Sequence, residues 1–239
     1  MAEFTFKDSD PYSENTGVVG EHYGGKTYFV GQNILKPMLK TRIINVWAWD
    51  HQAKWKDYFE PHQVVYYLDD LQRGTQCYVP ENKSEEHFDE FCELVQQLNN
   101  THLFIDESHN YHNAQRMAKQ LQPVIRDLSG NQNVAYTLVW QRASEGHKSV
   151  MSNARHKFLF NFDSLDQDRY LQMFGKYADL FLNPEERKYF RDFTENNKKY
   201  RYDILTDYSF LYRDEKNRTK VEIYNGGHLT TLESLKIEI

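Results

Sequence analysis

Short apolar runs alternate along the chain with longer stretches whose apolar positions recur every three or four residues, the pattern of strands and helices in turn. Residues 42–49 (RIINVWAW), 63–68 (QVVYYL), 102–105, 134–140 (VAYTLVW) and 157–160 read as strands, and 17–19 is a short apolar approach ahead of them. Residues 26–39, closed near Pro37 and Lys40, and residues 84–98, 113–128 and 165–181 read as helices. The second of these sets Phe88, Phe91, Leu94, Val95 and Leu98 at helical spacing and puts acids in its first turn, where they favour the positive helix end. Strands apolar throughout and separated by helices predict an α/β domain, a mostly parallel sheet with helices on both faces. After Pro184 the chain turns charged and aromatic. The run PEERKYFRDFTENNKKYRYD predicts a helix, and residues 208–212 and 221–224 around RDEKNR predict a β-hairpin. The expected division is a core over residues 1–183 and a small C-terminal extension over 184–239, in the same domain or as an appendage.

Length changes this picture little, since 239 residues suffice for one well-shielded core. No apolar run approaches the roughly 18 residues that span a bilayer, and the opening MAEFTFKDSDPYSENT is polar and acidic rather than leader-like. A cytosolic setting is expected. Cys77 and Cys92 are the two cysteines and form no CxxC pair, which argues against a disulfide framework. A net charge of −6 excludes a generic basic binder of nucleic acid, while leaving room for local basic loops on an acidic body.

Chemistry enters at Gly20-Glu-His-Tyr-Gly-Gly-Lys-Thr27, which fits the phosphate-loop pattern GxxxxGK[ST] in full. Gly20, Gly24 and Gly25 let the backbone curl so that its N–H groups face phosphate oxygens at a helix start. Lys26 would reach the β- and γ-phosphates of ATP, and Thr27 would place its hydroxyl on Mg²⁺. Tyr23 within the loop and Tyr28 just after it complete the candidate nucleotide contacts. Leu103-Phe104-Ile105 ends in Asp106 and Glu107, so the first carboxylate is placed for the Mg²⁺ shell and the second to polarise an attacking water. The strand over 134–140 ends in Gln141, where open α/β sheets bind ligands, and Gln141 is a candidate to orient that water or sense the phosphate. His102, His109 and His112 cluster in sequence without the HExxH spacing of a zinc site. Trp47 and Trp49 share one strand face and read as packing. The basic stretches 153–157, 54–56 and 187–201 are candidate DNA contacts or solvated faces.

The ordered set GEHYGGKT, LFIDESHNY and TLVWQR resembles the FtsK–HerA superfamily of DNA-pumping ATPases over about residues 17–165. The resemblance implies a P-loop NTPase fold of the RecA/ASCE type and an ATP-driven motor acting on double-stranded DNA as a homo-oligomeric ring, usually a hexamer. It also implies an arginine reaching the neighbouring subunit's γ-phosphate. Arg126 matches that position, with Arg142 and Arg155 as rivals. The single motor domain is most similar to viral genome-packaging ATPases, which makes capsid or vertex proteins candidate partners and the host cytoplasm or the virion the expected place. A cellular HerA-like pump in repair or conjugation, and a nucleotide-gated ring-assembly module with little turnover, are the alternatives. The chain departs from the family pattern in its short first strand and in Ala143, where proline often follows QR.

Overall fold

In the computed structural model, residues 13–21, 24–128, 132–142, 144, 146–161, 164–175, 177–178, 192–202, 209–217, 221–225, 228–230 and 233–238 are described. Among them, ten strands form one sheet. Its parallel part runs β7 (His156–Leu159), β1 (Thr16–Val19), β6 (Val134–Trp140), β5 (Thr101–Ile105), β2 (Asn45–Trp49), β4 (Gln76–Tyr78) and β3 (Val64–Val65). Beyond β7 the sheet turns antiparallel through β10 (Phe210–Asp214), β11 (Val221–Asn225) and β12 (His228–Thr230). The fold is thus the α/β class expected, and the hairpin around RDEKNR extends the main sheet.

The central strands are apolar on both sides because both sides are covered. Trp47, Trp49, Leu103, Ile105, Tyr136 and Leu138 pack with Phe88, Phe91 and Val95 of helix α3 (Glu85–Val95). Val46, Ala48, Phe104 and Val139 face the other way, onto Phe29, Ile34 and Met38. Trp49 is fully buried, with its ring centroid 5.0 Å from Phe88 and 5.2 Å from Phe91, and its indole N–H donates to the Tyr111 hydroxyl at 3.1 Å. Such aromatic pairs add about 0.5–1.5 kcal/mol each beyond simple burial. Ser84 caps α3 by accepting the His87 N–H at 3.2 Å, with Glu85 and Glu86 in the first turn.

Several expected elements differ in extent. The helix after the glycine loop comprises α1 (Lys26–Val30), a π-helical turn (Gly31–Leu35) and α2 (Lys36–Thr41), so it runs past Pro37. Pro37 lies in the first turn of α2, directly after the π turn. The strand expected over 63–68 shrinks to Val64–Val65, and β4 was not anticipated. The helix expected over 113–128 is only α4 (Leu121–Arg126). Asn113 Oδ1 accepts the N–H groups of Gln115 and Arg116 at 2.9 and 2.8 Å, and this local turn competes with a helix.

Helices α5 (Lys148–Asn153) and α6 (Gln167–Phe174) follow β6 and β7. The helix expected after Pro184 lies partly outside the described residues. Its described part is instead an antiparallel hairpin, β8 (Asp192–Glu195) and β9 (Lys198–Tyr202), joined in a separate three-stranded sheet by β13 (Lys236–Glu238). Asn196 and Asn197 both have positive φ, 51° and 61°, the geometry of a two-residue hairpin turn. Among the described residues no helix is long and apolar enough to cross a membrane.

Candidate active site

The carboxyl ends of β1, β6, β5 and β2 lie side by side, and each releases a polar segment at the same edge of the sheet. After β1, Gly20 has φ +150°, and a Cβ there would meet Phe160 Cβ at 2.6 Å, so a side chain is excluded both by torsion and by space. The Glu21 N–H donates to the Asn161 carbonyl at 2.6 Å, which fixes the loop against the end of β7. The Glu21 carbonyl accepts from the Gly24 N–H at 3.3 Å and from Lys26 Nζ at 2.5 Å. Gly25 enters the helix at φ +85°, and its carbonyl accepts the Phe29 N–H at 2.8 Å. Tyr23 falls outside the described residues. Tyr28 is on the first turn of α1, about half exposed, at 53 %.

Lys26, though charged in solution, is buried here, and that burial lowers its pKa to about 8 against the pull of the Glu107 and Asp106 carboxylates. Asp106 is fully buried at the end of β5. Thr27 Oγ1 donates to its Oδ1 at 3.3 Å, while Oδ2 has no hydrogen-bond partner among the described residues. Desolvation first, and then the neighbouring charges of Glu107 and Asp50, push its pKa up to about 7. A buried carboxylate oxygen without a donor, beside a threonine hydroxyl and a lysine, fits a hard divalent cation with oxygen ligands such as Mg²⁺. Lys26, Thr27 and Asp106, brought together here, were all named from the sequence.

Glu107 follows in the left-handed region at φ 50° and ψ 40° and is 8 % exposed. Its two carboxylate oxygens are taken by two amides. Gln141 Nε2 donates to Oε2 at 2.7 Å, and Gln52 Nε2 donates to Oε1 at 2.5 Å. His109 Nδ1 stands 3.5 Å from Oε2. Gln141 therefore joins the site as expected, whereas Gln52, on the segment after β2, was not foreseen. No periodicity singles it out, and the basic loop 54–56 beside it points to DNA contact or a solvated face rather than to this site. That loop abuts the site. The Asp50 carboxylate accepts the N–H groups of Lys54, Trp55 and Lys56 at 2.9, 2.8 and 2.8 Å, and the Trp55 indole donates to the Thr27 carbonyl at 3.0 Å. The Lys54 charge is felt by both Lys26 and Asp106.

The remaining candidates lie apart. Arg126 closes α4 with an exposed side chain that donates to Ser149 Oγ at 3.1 Å, and among the described contacts it does not join Lys26, Asp106 or Glu107. Arg142 donates to Asp166 Oδ2 at 3.1 Å. Arg155 is held internally by Glu14 and by Asp214, the latter at 3.0 Å, and Lys157 pairs with Glu215 at 2.5 Å, so the 153–157 stretch is a neutralised ion-pair network rather than a basic face. Residues 187–191 of the third basic stretch lie outside the described residues. The three histidines part company: His102 bonds Thr137 Oγ1 at 2.8 Å, His112 bonds Ser108 Oγ at 3.0 Å, and His109 faces Glu107. Trp47 and Trp49 are core packing.

Comparison with known proteins adds a fold-level likeness. No protein-family model matches the chain, and neither does any curated protein sequence. Among solved structures, the genome packaging NTPase B204 of Sulfolobus turreted icosahedral virus 2, in complex with ATP-gammaS, superposes with a TM-score of 0.65 at 17 % identity, over 90 % of this chain and 98 % of that one. The DNA-packaging ATPase B204 of Sulfolobus turreted icosahedral virus gives 0.63 at 15 % identity, over 88 % and 96 %. The pCW3 conjugation coupling protein TcpA with ATPgS gives 0.51 at 12 % identity, over 90 % and 62 %. The chain has the P-loop NTPase fold of these structures, over nearly the whole length of the two packaging proteins.

Proposed function

We propose that the chain is an ATP-hydrolysing motor that moves double-stranded DNA, most like the engines that package viral genomes. The observation that carries this reading is the convergence of Lys26, Thr27, Asp106, Glu107 and Gln141 at the ends of three adjacent strands, β1, β6 and β5. Its place is supported by the fold shared with B204, which is described as a genome packaging NTPase, and with the coupling protein TcpA.

In this reading the loop from Gly20 to Gly25 wraps the triphosphate, and Lys26 leaves the Glu21 carbonyl to meet the β- and γ-phosphates. Arriving anionic phosphate restores the full charge of a lysine whose proton is loosely held. Thr27 and Asp106 would hold Mg²⁺, which when bound neutralises charge on the phosphate oxygens. Glu107 takes a proton from water as the water oxygen bonds to the γ-phosphorus and the bond from that phosphorus to the β–γ bridging oxygen breaks. Gln141 turns the Glu107 carboxylate toward that water and registers loss of the phosphate. Arg126, exposed and outside its own subunit's site, acts across a ring interface on the charge that develops on the transferred phosphoryl group. Glu107, held by amides and next to the buried Asp106, suits attack by water better than transfer to a bound metabolite.

The test is ATP turnover with and without double-stranded DNA, with assembly mass measured with and without nucleotide. The expectation is DNA-stimulated hydrolysis by a ring, abolished by Lys26→Ala. Turnover indifferent to DNA, in a ring that still forms on ATP, would replace the motor with a nucleotide-gated assembly module.

A further inference from the structure

We propose that Gln52 is a positioning residue for hydrolysis, fixing the plane of the Glu107 carboxylate together with Gln141; the role rests on the ATPase reading above. A glutamate side chain turns almost freely about its last bond, so one hydrogen bond leaves the second oxygen free to swing. An ionised carboxylate only accepts, and its two oxygens offer about four lone-pair sites. Here one amide donates to each oxygen, from opposite sides: Gln141 after β6 at 2.7 Å and Gln52 after β2 at 2.5 Å. The carboxylate is therefore oriented yet keeps a lone pair on each oxygen for water. Gln141 alone does not achieve this.

Gln52 is itself held by a built loop. Asp50, fully buried, ties down three successive N–H groups, those of Lys54, Trp55 and Lys56. Ala53 takes the left-handed conformation at φ 55°, unusual without glycine, and its N–H donates to the Asp50 carbonyl at 3.1 Å. Trp55 is buried and bonds the carbonyl of Thr27, the residue that follows the loop lysine. The loop thus connects the phosphate-loop helix to the general base, and a displacement of Thr27 reaches Gln52 through a three-residue path. A glutamine serving only solvation needs neither this anchoring nor an amide aimed at a buried carboxylate.

The experiment compares the full chain with Gln52→Ala, Glu107→Gln and the double variant, all with double-stranded DNA. The readouts are kcat, KM for ATP, binding of a non-hydrolysable ATP analogue and thermal melting. Misplacing a reacting group by about 1 Å costs on the order of 100-fold, so Gln52→Ala should lower kcat about 10- to 100-fold. KM and analogue affinity should stay within about twofold, and melting should be unchanged. In the Glu107→Gln background the same change should cost nothing further, because the group being positioned is already lost. A kcat within about twofold of the unmodified chain overturns the role, as does an equal further loss in the Glu107→Gln background. If the unmodified chain shows no turnover, the ATPase reading falls and this role falls with it; normal turnover with an indifferent Gln52→Ala sinks the role alone.

Discussion

Asp106→Asn should stabilise the metal-free, nucleotide-free protein while destroying its hydrolysis. Asp106 is fully buried, one of its oxygens has no donor among the described residues, and Glu107 and Asp50 add like charge. Its pKa is raised from the ordinary 3.8 to about 7, with desolvation as the largest cause. In the folded chain the group keeps a proton that the unfolded chain gives up near pH 4. Stability therefore falls as pH climbs from about 4 to 7, and the whole penalty is present above pH 7. A displacement of that size corresponds to about 4 kcal/mol, of which relaxation and water entry leave roughly 2–4 kcal/mol. Asparagine matches the shape of the protonated acid and never ionises. In EDTA at pH 8 the variant should melt about 5–10 °C higher than the unmodified protein, at about 2–4 °C per kcal/mol for a chain of this size. The gain should shrink toward pH 5, where the aspartic acid is itself neutral. Added Mg²⁺ with an ATP analogue should raise the melting temperature of the unmodified protein and move the variant less. Thermal melting over pH 5–8 is the assay. Equal melting at pH 8 in EDTA, or a gain that does not diminish in acid, would refute the account of Asp106 as a charge held ready for a cation.

Arg126 acts between subunits in the proposed mechanism, so inactive Lys26→Ala and Arg126→Ala chains mixed together should regain part of the ATPase activity at sites that pair one intact lysine with one intact arginine; no recovery at any mixing ratio would remove Arg126 from the role. Gly20→Ala forces a methyl to 2.6 Å from Phe160 Cβ at φ +150°, and urea unfolding should show a loss of at least about 3 kcal/mol.

What the sequence disclosed and what it concealed divide along physical lines. The glycine loop, Lys26 and Thr27 are contiguous, and the loop's torsional demands are written into residue types, so the candidate nucleotide loop was legible. The strands β2, β5 and β6 were legible because burial on both faces leaves them apolar throughout. β4 was missed because three residues carry too little pattern, and α4 was overextended because the Asn113 turn is a local side-chain effect that apolar periodicity ignores. The β8–β9 hairpin did carry a signal, Asn196–Asn197 between alternating charged and aromatic residues, that the charge density obscured. Gln52 lies 55 positions from Glu107, and no local rule predicts that meeting. Arg155 looked like a candidate for the trans arginine until Glu14 and Asp214, distant in sequence, closed around it.

Strand order and register explain why these residues meet at all. β6 lies between β1 and β5, with Val19 opposite Trp140 and Leu138 opposite Ile105. Gly20 and Gln141 therefore leave the sheet at one level, and Trp140 runs abreast of Glu107, which sets the Gln141 amide one residue above the carboxylate it holds. On the far side Trp49 is opposite Ile105, so Asp50 leaves level with Asp106 and Gln52 follows Glu107 from the other flank. The crossing from β5 to β6 is secured below this layer. The His147 N–H donates to His112 Nδ1 at 3.3 Å, so the His112 proton sits on Nε2 and goes to Ser108 Oγ; the Ser108 hydroxyl then donates to the Val139 carbonyl at 3.0 Å. A one-residue slip of β6 would break the Ser108 contact, turn Trp140 and Leu138 out of their core, and carry Gln141 past Glu107. The apolar packing on both faces that buries these strands is therefore also what aligns Gly20, Asp106, Glu107 and Gln141, so packing and the proposed chemistry constrain the same residues of β6.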